Sequence, residues 1–302
     1  MTSVEHTSFV DESKLVSLVP STIRWQQLQP GNFDVAFKVL AATPLVISSR
    51  TMNLAFHGTA QVVPGRRSVV TIDSVTDARW RGSAFGAANI ASGDEVDVRT
   101  TGASTLLAIA VDEPHLQRHY HHSLDASDIV DRLGNNRVTG NFLAAHRVRT
   151  AVRQVCAAES SVPPTAAGTM LALLAATVAE IENHAIARSH CLNRRYAAVR
   201  ACAAYMREHI DETITLIDLS TACGMRSRSL INAFEAIVGL SPMDYLKRLR
   251  LSSVRSMLLR SDPRSTRVID VATEWGFWHM GHFAHDYRVM FGEAPSQTLL
   301  SR

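Results

Sequence analysis

Cysteine is scarce in this chain of 302 residues: there are four, Cys156, Cys191, Cys202 and Cys223. They form no CxxC pair and no regular framework, which argues against metal ribbons and disulfide-stapled secreted folds and marks them as core thiols. Long apolar runs are missing too. The stretch from Thr169 to Ala179 is interrupted well before the roughly 18 residues that a membrane span requires, and the first residues lack a basic, apolar, small-residue leader. The expectation is a soluble, cytoplasmic protein with no membrane partner. A Gly-rich phosphate loop, a GxSxG elbow and an HExxH pair are likewise absent. The common enzyme classes have no foothold without them, so neither a catalytic residue nor a cofactor is expected.

A strong charge of either sign is also lacking, since the net charge is +3. Its distribution is uneven. Residues 1–190 hold 16 Lys and Arg against 17 Asp and Glu, whereas residues 191–302 hold 15 against 11. All of the basic excess lies in the last third, where it suits a module that faces phosphates.

From about Ile23 to Val111, short apolar runs such as FDVAFKVLAA, SVVTIDSV and STLLAIAV alternate with turn formers such as Pro64-Gly65 and Gly93-Asp94. That grammar predicts an all-β sandwich or small barrel. The first 20 residues have little periodicity and are expected to form a flexible arm. Residues 116–190 are expected to be helical: Leu171, Leu174, Val178, Ile181 and Ala185 draw one apolar stripe, the pattern of a dimer seam or of packing on the chain's own sheets. The polar run His190 to Arg195 reads as a linker. Beyond it, Val199, Ala203, Met206 and Ile210 mark an amphipathic helix.

The last ninety or so residues repeat themselves. Leu219, Gly224, Leu230, Phe234, Gly239 and Pro242 recur as Val271, Gly276, Phe283, Tyr287, Gly292 and Pro295. A repeat of about fifty residues that occurs twice is a duplicated supersecondary unit and not a solenoid. Each copy predicts a short helix (Leu216 to Cys223; Val268 to Trp275) ending at a glycine free to take positive φ, then a second helix that packs back on it. Small residues, Ser220 and Ala222 in the first copy and Ala272 in the second, are expected where the helices cross. Pro242 to Arg260 predicts one connecting helix, with Tyr245, Leu246, Leu249, Val254, Met257 and Leu258 facing inward.

These residues carry a resemblance. The stretches LIDLSTACGMRSRSLINAFEAIVGLSPMDYLKRLRLSSVRSMLL and VIDVATEWGFWHMGHFAHDYRVMFGEAPS are similar to the DNA-binding domain of the AraC/XylS family of bacterial transcription regulators. Gly276-Phe277, Phe283, the pair Tyr287-Arg288 and the run from Gly292 to Pro295 follow that family's signature. The resemblance covers about one hundred residues. It implies an α+β protein: an arm over 1–20, an effector-sensing and dimerisation domain over 21–190 and a DNA-binding domain over 194–302. The sensing domain would be a β-sandwich or cupin-like barrel over 21–115, with helices over 116–190. The implied partners are double-stranded DNA, a small-molecule effector, a second copy of the chain in a homodimer and, for an activator, RNA polymerase; the protein would associate with the nucleoid when bound to DNA.

The resemblance further implies two recognition helices entering successive major-groove segments. In the first, Arg228 offers a donor fork to guanine, Asn232 a bidentate pair to adenine and Ile231 a contact to a thymine methyl. In the second, Met280, Gly281 and His285 are the base-contact candidates, on a helix that also presents His279 and Ala284; many relatives carry Arg where this chain has His282. Arg226 stands where the family commonly has a capping Ser, so Ser227 is expected to cap. Lys247, Arg248, Arg250 and Arg288 are candidates for phosphate contacts. Leu219, Gly224, Leu230, Phe234, Ala272, Gly276, Phe277, Phe283, Tyr287 and Pro295 form the scaffold.

For the effector pocket, Phe56, Trp80 and Phe85 are the candidate lining residues. Two alternatives compete. A cupin-like metal enzyme would draw on His115, His119, His121 and His122, although these follow the last predicted strand and only Glu113 is close by to complete a carboxylate set. A helix-turn-helix protein used only for protein interaction would have lost its polar recognition surface, which the first copy retains.

Overall fold

A computed structural model describes residues 21–42, 44–74, 77–80, 83–84, 86–90, 93–120, 137–139, 142–157, 168–174, 177 and 190–301. The chain divides into two compact units, one comprising residues 1–25 and 34–187 and the other residues 26–33 and 188–302.

The first unit is built on two antiparallel sheets. Its strands are β1 (Ser21–Gln27), β2 (Val35–Ala42), β3 (Leu45–Met52), β4 (Phe56–Val62), β5 (Arg66–Ser74), β6 (Ala78–Trp80), β7 (Ser83–Ala84), β8 (Ala87–Ile90), β9 (Glu95–Thr100), β10 (Ser104–Asp112) and β11 (Arg137–Thr139). One sheet runs β1-β4-β9-β6-β7 and the other β11-β8-β5-β10-β3-β2. The central strand β10 pairs with β3 and β5 at once, Ile109 lying opposite Ile47 on one side and Val69 on the other. Both faces of β10 are covered, so its sequence is a continuous apolar run instead of an alternation. Leu107, Ile109 and Val111 join the core on the helical side, with Val148 and Val152 from α2 (Phe142–Ala157) and Leu116 from α1 (Glu113–Tyr120).

Three expectations are corrected in this unit. Leu171 and Leu174 are 6% and 1% exposed within that same core, so these two stripe residues pack on the chain's own sheet and are not free to form a dimer seam. Val178 and Ile181 lie outside the described residues, as does the expected arm. The segment expected to be helical holds one strand, β11, which extends the larger sheet beside β8. Residues 26–33, expected in the sensing domain, belong to the second unit.

Apart from segment 26–33, the second unit is built of helices: α3 (His190–Glu208), α4 (Leu216–Cys223), α5 (Ser227–Ile237), α6 (Pro242–Arg260), α7 (Val268–Glu274), α8 (Met280–Phe291) and α9 (Pro295–Leu300). The expected linker at His190 is the first turn of α3. Two cores form. Leu219, Leu230 and Phe234 pack with α3 and the first half of α6, whereas Val271, Phe283 and Tyr287 pack with the second half of α6 and α9. Segment 26–33 lies against this unit, with Leu28 on the first core and the Gly31 N–H donating to the Met290 carbonyl on α8 at 2.9 Å. Among the described residues no helix is long and apolar enough to cross a membrane.

Candidate nucleic-acid interface

The first helix pair is fixed at both ends of α4. Thr215 and Asp218 form a reciprocal capping box: the Asp218 N–H donates to Thr215 Oγ1 at 3.3 Å, and the Thr215 N–H donates to Asp218 Oδ2 at 2.8 Å. Hydrogen bonds from the Thr215 hydroxyl and N–H hold the Asp218 carboxyl below its ordinary range. At the other end Gly224 takes φ 62° and ψ 31°, the left-handed turn that a side chain would disfavour. Ser227 does not cap α5. Its hydroxyl lies 2.7 Å from that of Ser220, joining the two helices where they cross, and Arg226 at the cap position makes no capping bond. Ala222 is exposed and takes no part in the crossing.

Helix α5 buries Leu230, Ala233, Phe234 and Ile237. The opposite side exposes Arg228 and Asn232 and half-buries Ile231. Residues three and four apart share a helix face, so Glu235, also exposed, stands beside Ile231 and Asn232. Its carboxylate suits a cytosine amino group. Sequence reasoning passed over Glu235, and the same spacing rule would have found it.

The candidates for phosphate contact separate into different roles. Arg288 is exposed on α8. Lys247 is exposed on α6, with its Nζ 3.3 Å from Asp286 Oδ2. Arg248 is half-buried against the Met290 sulfur, and burial lowers its pKa. Arg250 is a correction. Its Nε donates to the Ile210 carbonyl at 2.8 Å and its Nη2 to the Glu212 carbonyl, so two of its donors hold the chain that leaves α3.

The second pair repeats the plan. Gly276 takes φ 78°, and a Cβ built there would lie 3.1 Å from Arg250 Nη1, so both backbone and neighbour demand glycine. Phe277, Phe283, Tyr287 and Phe291 stack in series with ring centroids 5.0, 5.6 and 4.7 Å apart. A polar chain closes the far side: the Tyr287 hydroxyl donates to Thr298 Oγ1 at 2.9 Å, that hydroxyl donates to Glu293 Oε1, and Arg255 donates to the same oxygen. Pro295 begins α9 and is buried. Of the predicted scaffold, Leu219, Leu230, Phe234, Ala272, Phe283 and Tyr287 are all buried to within 2%.

The exposed side of α8 carries Gly281 and His285, with Met280 and Ala284 half-buried. Arg288 follows His285 by three residues, which brings a cation to that side. Trp278, 71% exposed just before α8, and His282, also exposed, were not among the sequence candidates for base contact.

In the first unit a cavity opens between the two sheets, lined from β1, β3, β4, β5, β9 and β10. Phe56 and Trp80 are not on its wall. Both are fully buried, and the Phe56 ring meets the Trp25 ring edge-on at 4.9 Å, so these aromatics pack the structure and leave the lining to smaller residues. Phe85, His121 and His122 lie outside the described residues. His115 and His119 are carried by α1, and no cluster of three metal-ligating side chains occurs among the described residues.

Residues 219–301 match the family model described as a helix-turn-helix domain. The chain is 38% identical over 101 residues to the probable thc operon regulatory protein of Rhodococcus erythropolis, covering 33% of this chain and 30% of that protein. It is 37% identical over 95 residues to the XylDLEGF operon transcriptional activator 2 of Pseudomonas putida, covering 32% of this chain and 60% of that protein. Among solved structures, a probable AraC family transcriptional regulator from Rhodopseudomonas palustris is 41% identical, covering 34% of this chain and 95% of that one, with a TM-score of 0.32. The chain spans 30% and 60% of the length of these two curated relatives. Residues 219–301, with their two glycine-turned helix pairs, thus form a helix-turn-helix domain of the type found in AraC/XylS-family transcription regulators.

Proposed function

We propose that the chain is a sequence-specific transcription regulator that lays α5 and α8 into successive major-groove segments on one side of the duplex, under control of a small molecule held in its amino-terminal unit. The observation that carries this reading is the division of α6 between the two cores, Tyr245 and Leu246 in one and Val254 and Leu258 in the other. One continuous helix links the two pairs. Nineteen residues span about 28 Å at the usual helical rise, of the order of the 34 Å turn of B-DNA.

Arg228, Ile231, Asn232 and Glu235 read bases from α5, and Met280, Gly281 and His285 from α8. Arg288 and Lys247 position the protein on phosphates. The relatives named as transcriptional activators favour activation, with RNA polymerase as the further partner. Dimerisation belongs to the same reading, through a surface that excludes Leu171 and Leu174. The test is to map bound sites across the genome of the source cell and titrate the recovered duplex beside a scrambled one at several salt concentrations. A preference for the native duplex together with a salt-dependent affinity supports the reading; equal affinity at every salt concentration sinks it.

A further inference from the structure

The two helix pairs are built alike but charged differently. From Leu216 to Phe234 the first holds two arginines, Arg226 and Arg228, against one acid, Asp218, a charge of +1. The equivalent stretch of the second, Val268 to Tyr287, holds no Lys or Arg and three acids, Asp270, Glu274 and Asp286, a charge of −3 with histidine neutral. Such a surface alone is repelled by a phosphate backbone. What the second pair has in place of arginine is imidazole. His279, His282 and His285 are all exposed, three residues apart, at the cap of α8 and along its open side. The rings of His279 and His282 meet edge-on with centroids 6.2 Å apart. Protonation of all three brings the stretch from −3 to zero.

The other charged and titratable groups around α8 are of the kinds that titrate well away from neutrality, and most are engaged. On α8 itself, Asp286 lies 3.3 Å from Lys247 Nζ of α6, Tyr287 is turned inward to Thr298, and Arg288 is exposed one turn after His285. On α6, Arg248 rests on the Met290 sulfur, Arg250 bonds the Ile210 and Glu212 carbonyls, and Arg255 bonds Glu293. On α7, Asp270 faces Arg267 at 3.9 Å and Glu274 is exposed, whereas α9 carries no charged residue. The three histidines are therefore the groups of this surface whose charge changes near neutral pH.

We propose that the second helix pair binds DNA together with protons: α5 holds the duplex through fixed arginine charge, and α8 joins it as His279, His282 and His285 become imidazolium. This rests on the reading of α5 and α8 as recognition helices. An imidazolium donates from both ring nitrogens, which suits phosphate oxygens and the N7 and O6 of guanine alike. Phosphates in turn favour the charged ring, so formation of the complex takes up protons. The sign follows from linkage. An imidazole whose pKa is higher in the complex contributes affinity that is complete below its free value and is lost as pH rises through the raised one.

Fluorescence anisotropy of the full chain on a labelled mixed-sequence duplex of about 40 base pairs, long enough for two successive groove segments, tests the proposal. Between about pH 8 and about pH 6, on either side of the ordinary imidazole range, affinity should rise about tenfold or more. The salt slope should steepen by about one or more over the same interval, since each cation placed on a phosphate adds about 0.9. Calorimetry near neutral pH in two buffers of different ionisation enthalpy should read net proton uptake on binding. Replacing His279, His282 and His285 together with Gln should flatten the pH response. Replacing them together with Arg should give, at the alkaline end, most of the affinity that the wild type reaches only at the acid end. Affinity that is flat or falls on acidification, proton release on binding, or a pH response undiminished in the Gln variant would each overturn the proposal and leave the regulator reading standing. Failure to bind the duplex at any pH or salt concentration would remove that reading, and the proposal with it.

Discussion

Gly224 and Gly276 occupy equivalent turns, yet replacing each with alanine should have unequal consequences, and the difference can be worked from their surroundings. Both have positive φ, 62° and 78°, and moving an L residue into the left-handed region costs about 1–2 kcal/mol. At Gly224 nothing lies within 4 Å of the added Cβ, so that backbone cost is the whole effect. At Gly276 the Cβ meets Arg250 Nη1 at 3.1 Å and Cζ at 3.2 Å, tighter than ordinary contact. A free surface arginine would swing aside. Arg250 cannot do so without weakening its bonds to the Ile210 and Glu212 carbonyls, which adds about 1 kcal/mol, the low end for a hydrogen bond to a charged group. Gly276→Ala should therefore cost about 2–3 kcal/mol against about 1–2 for Gly224→Ala. Urea unfolding of the full chain, followed at the transition of the carboxy-terminal unit, measures both. The pair Gly276→Ala with Arg250→Ala closes a double-mutant cycle whose coupling should be near 1 kcal/mol in the sense of relief. Equal costs at the two glycines together with zero coupling would refute the assignment of Arg250 as a fixed internal brace.

Further outcomes follow from the same geometry. Arg228→Ala should lose about 1–3 kcal/mol on the native duplex and relax preference at one base position, as duplex titration with single-base variants would record. Arg288→Ala should weaken all duplexes alike and lower the salt slope by about one, whereas Arg250→Ala should destabilise the unit and leave that slope unchanged. Tyr287→Phe removes the bond to Thr298 and should cost about 1 kcal/mol in thermal unfolding, more if Glu293 and Arg255 lose their alignment. The His209 pKa is raised from its ordinary 6.5 by its hydrogen bond to Glu212, so the stability it contributes is fully present below that value and is lost as pH rises through the raised one. Glu212→Gln should bring the His209 titration seen by NMR back towards the ordinary value.

The helix pairs were legible in the chain because their constraints are local. A glycine at positive φ and large apolar residues four apart recur at nearly fixed spacing, and the physics that needs them is written into a few positions. Other features depend on neighbours distant in sequence. An apolar stripe has the same period whether it meets a second copy or its own sheet, so Leu171 and Leu174 suited either reading until their packing was seen. An arginine on a helix looks alike whether its donors face solvent or a carbonyl, which hid the brace at Arg250. Large aromatics suggested a pocket at Phe56 and Trp80, whereas cavities arise where side chains are small. Gly58 and Ala108 carry no signal of that kind alone.

The short stretch 26–33 bears on how such a gene can be recombined. The chain enters the DNA-binding unit at Gln26, leaves it after Phe33 and re-enters at Arg188. A chimera joined near residue 190, the boundary that composition suggests, would graft a foreign helical cassette onto a strap evolved for another. Leu28 would then meet an unfamiliar surface, and the Gln27 and Gly31 donors would lose the Met290 carbonyl unless the new α8 offered one in the same place. Exchange of amino-terminal halves between relatives is thus expected to succeed when the eight residues travel with the carboxy-terminal donor and to lose stability when they do not.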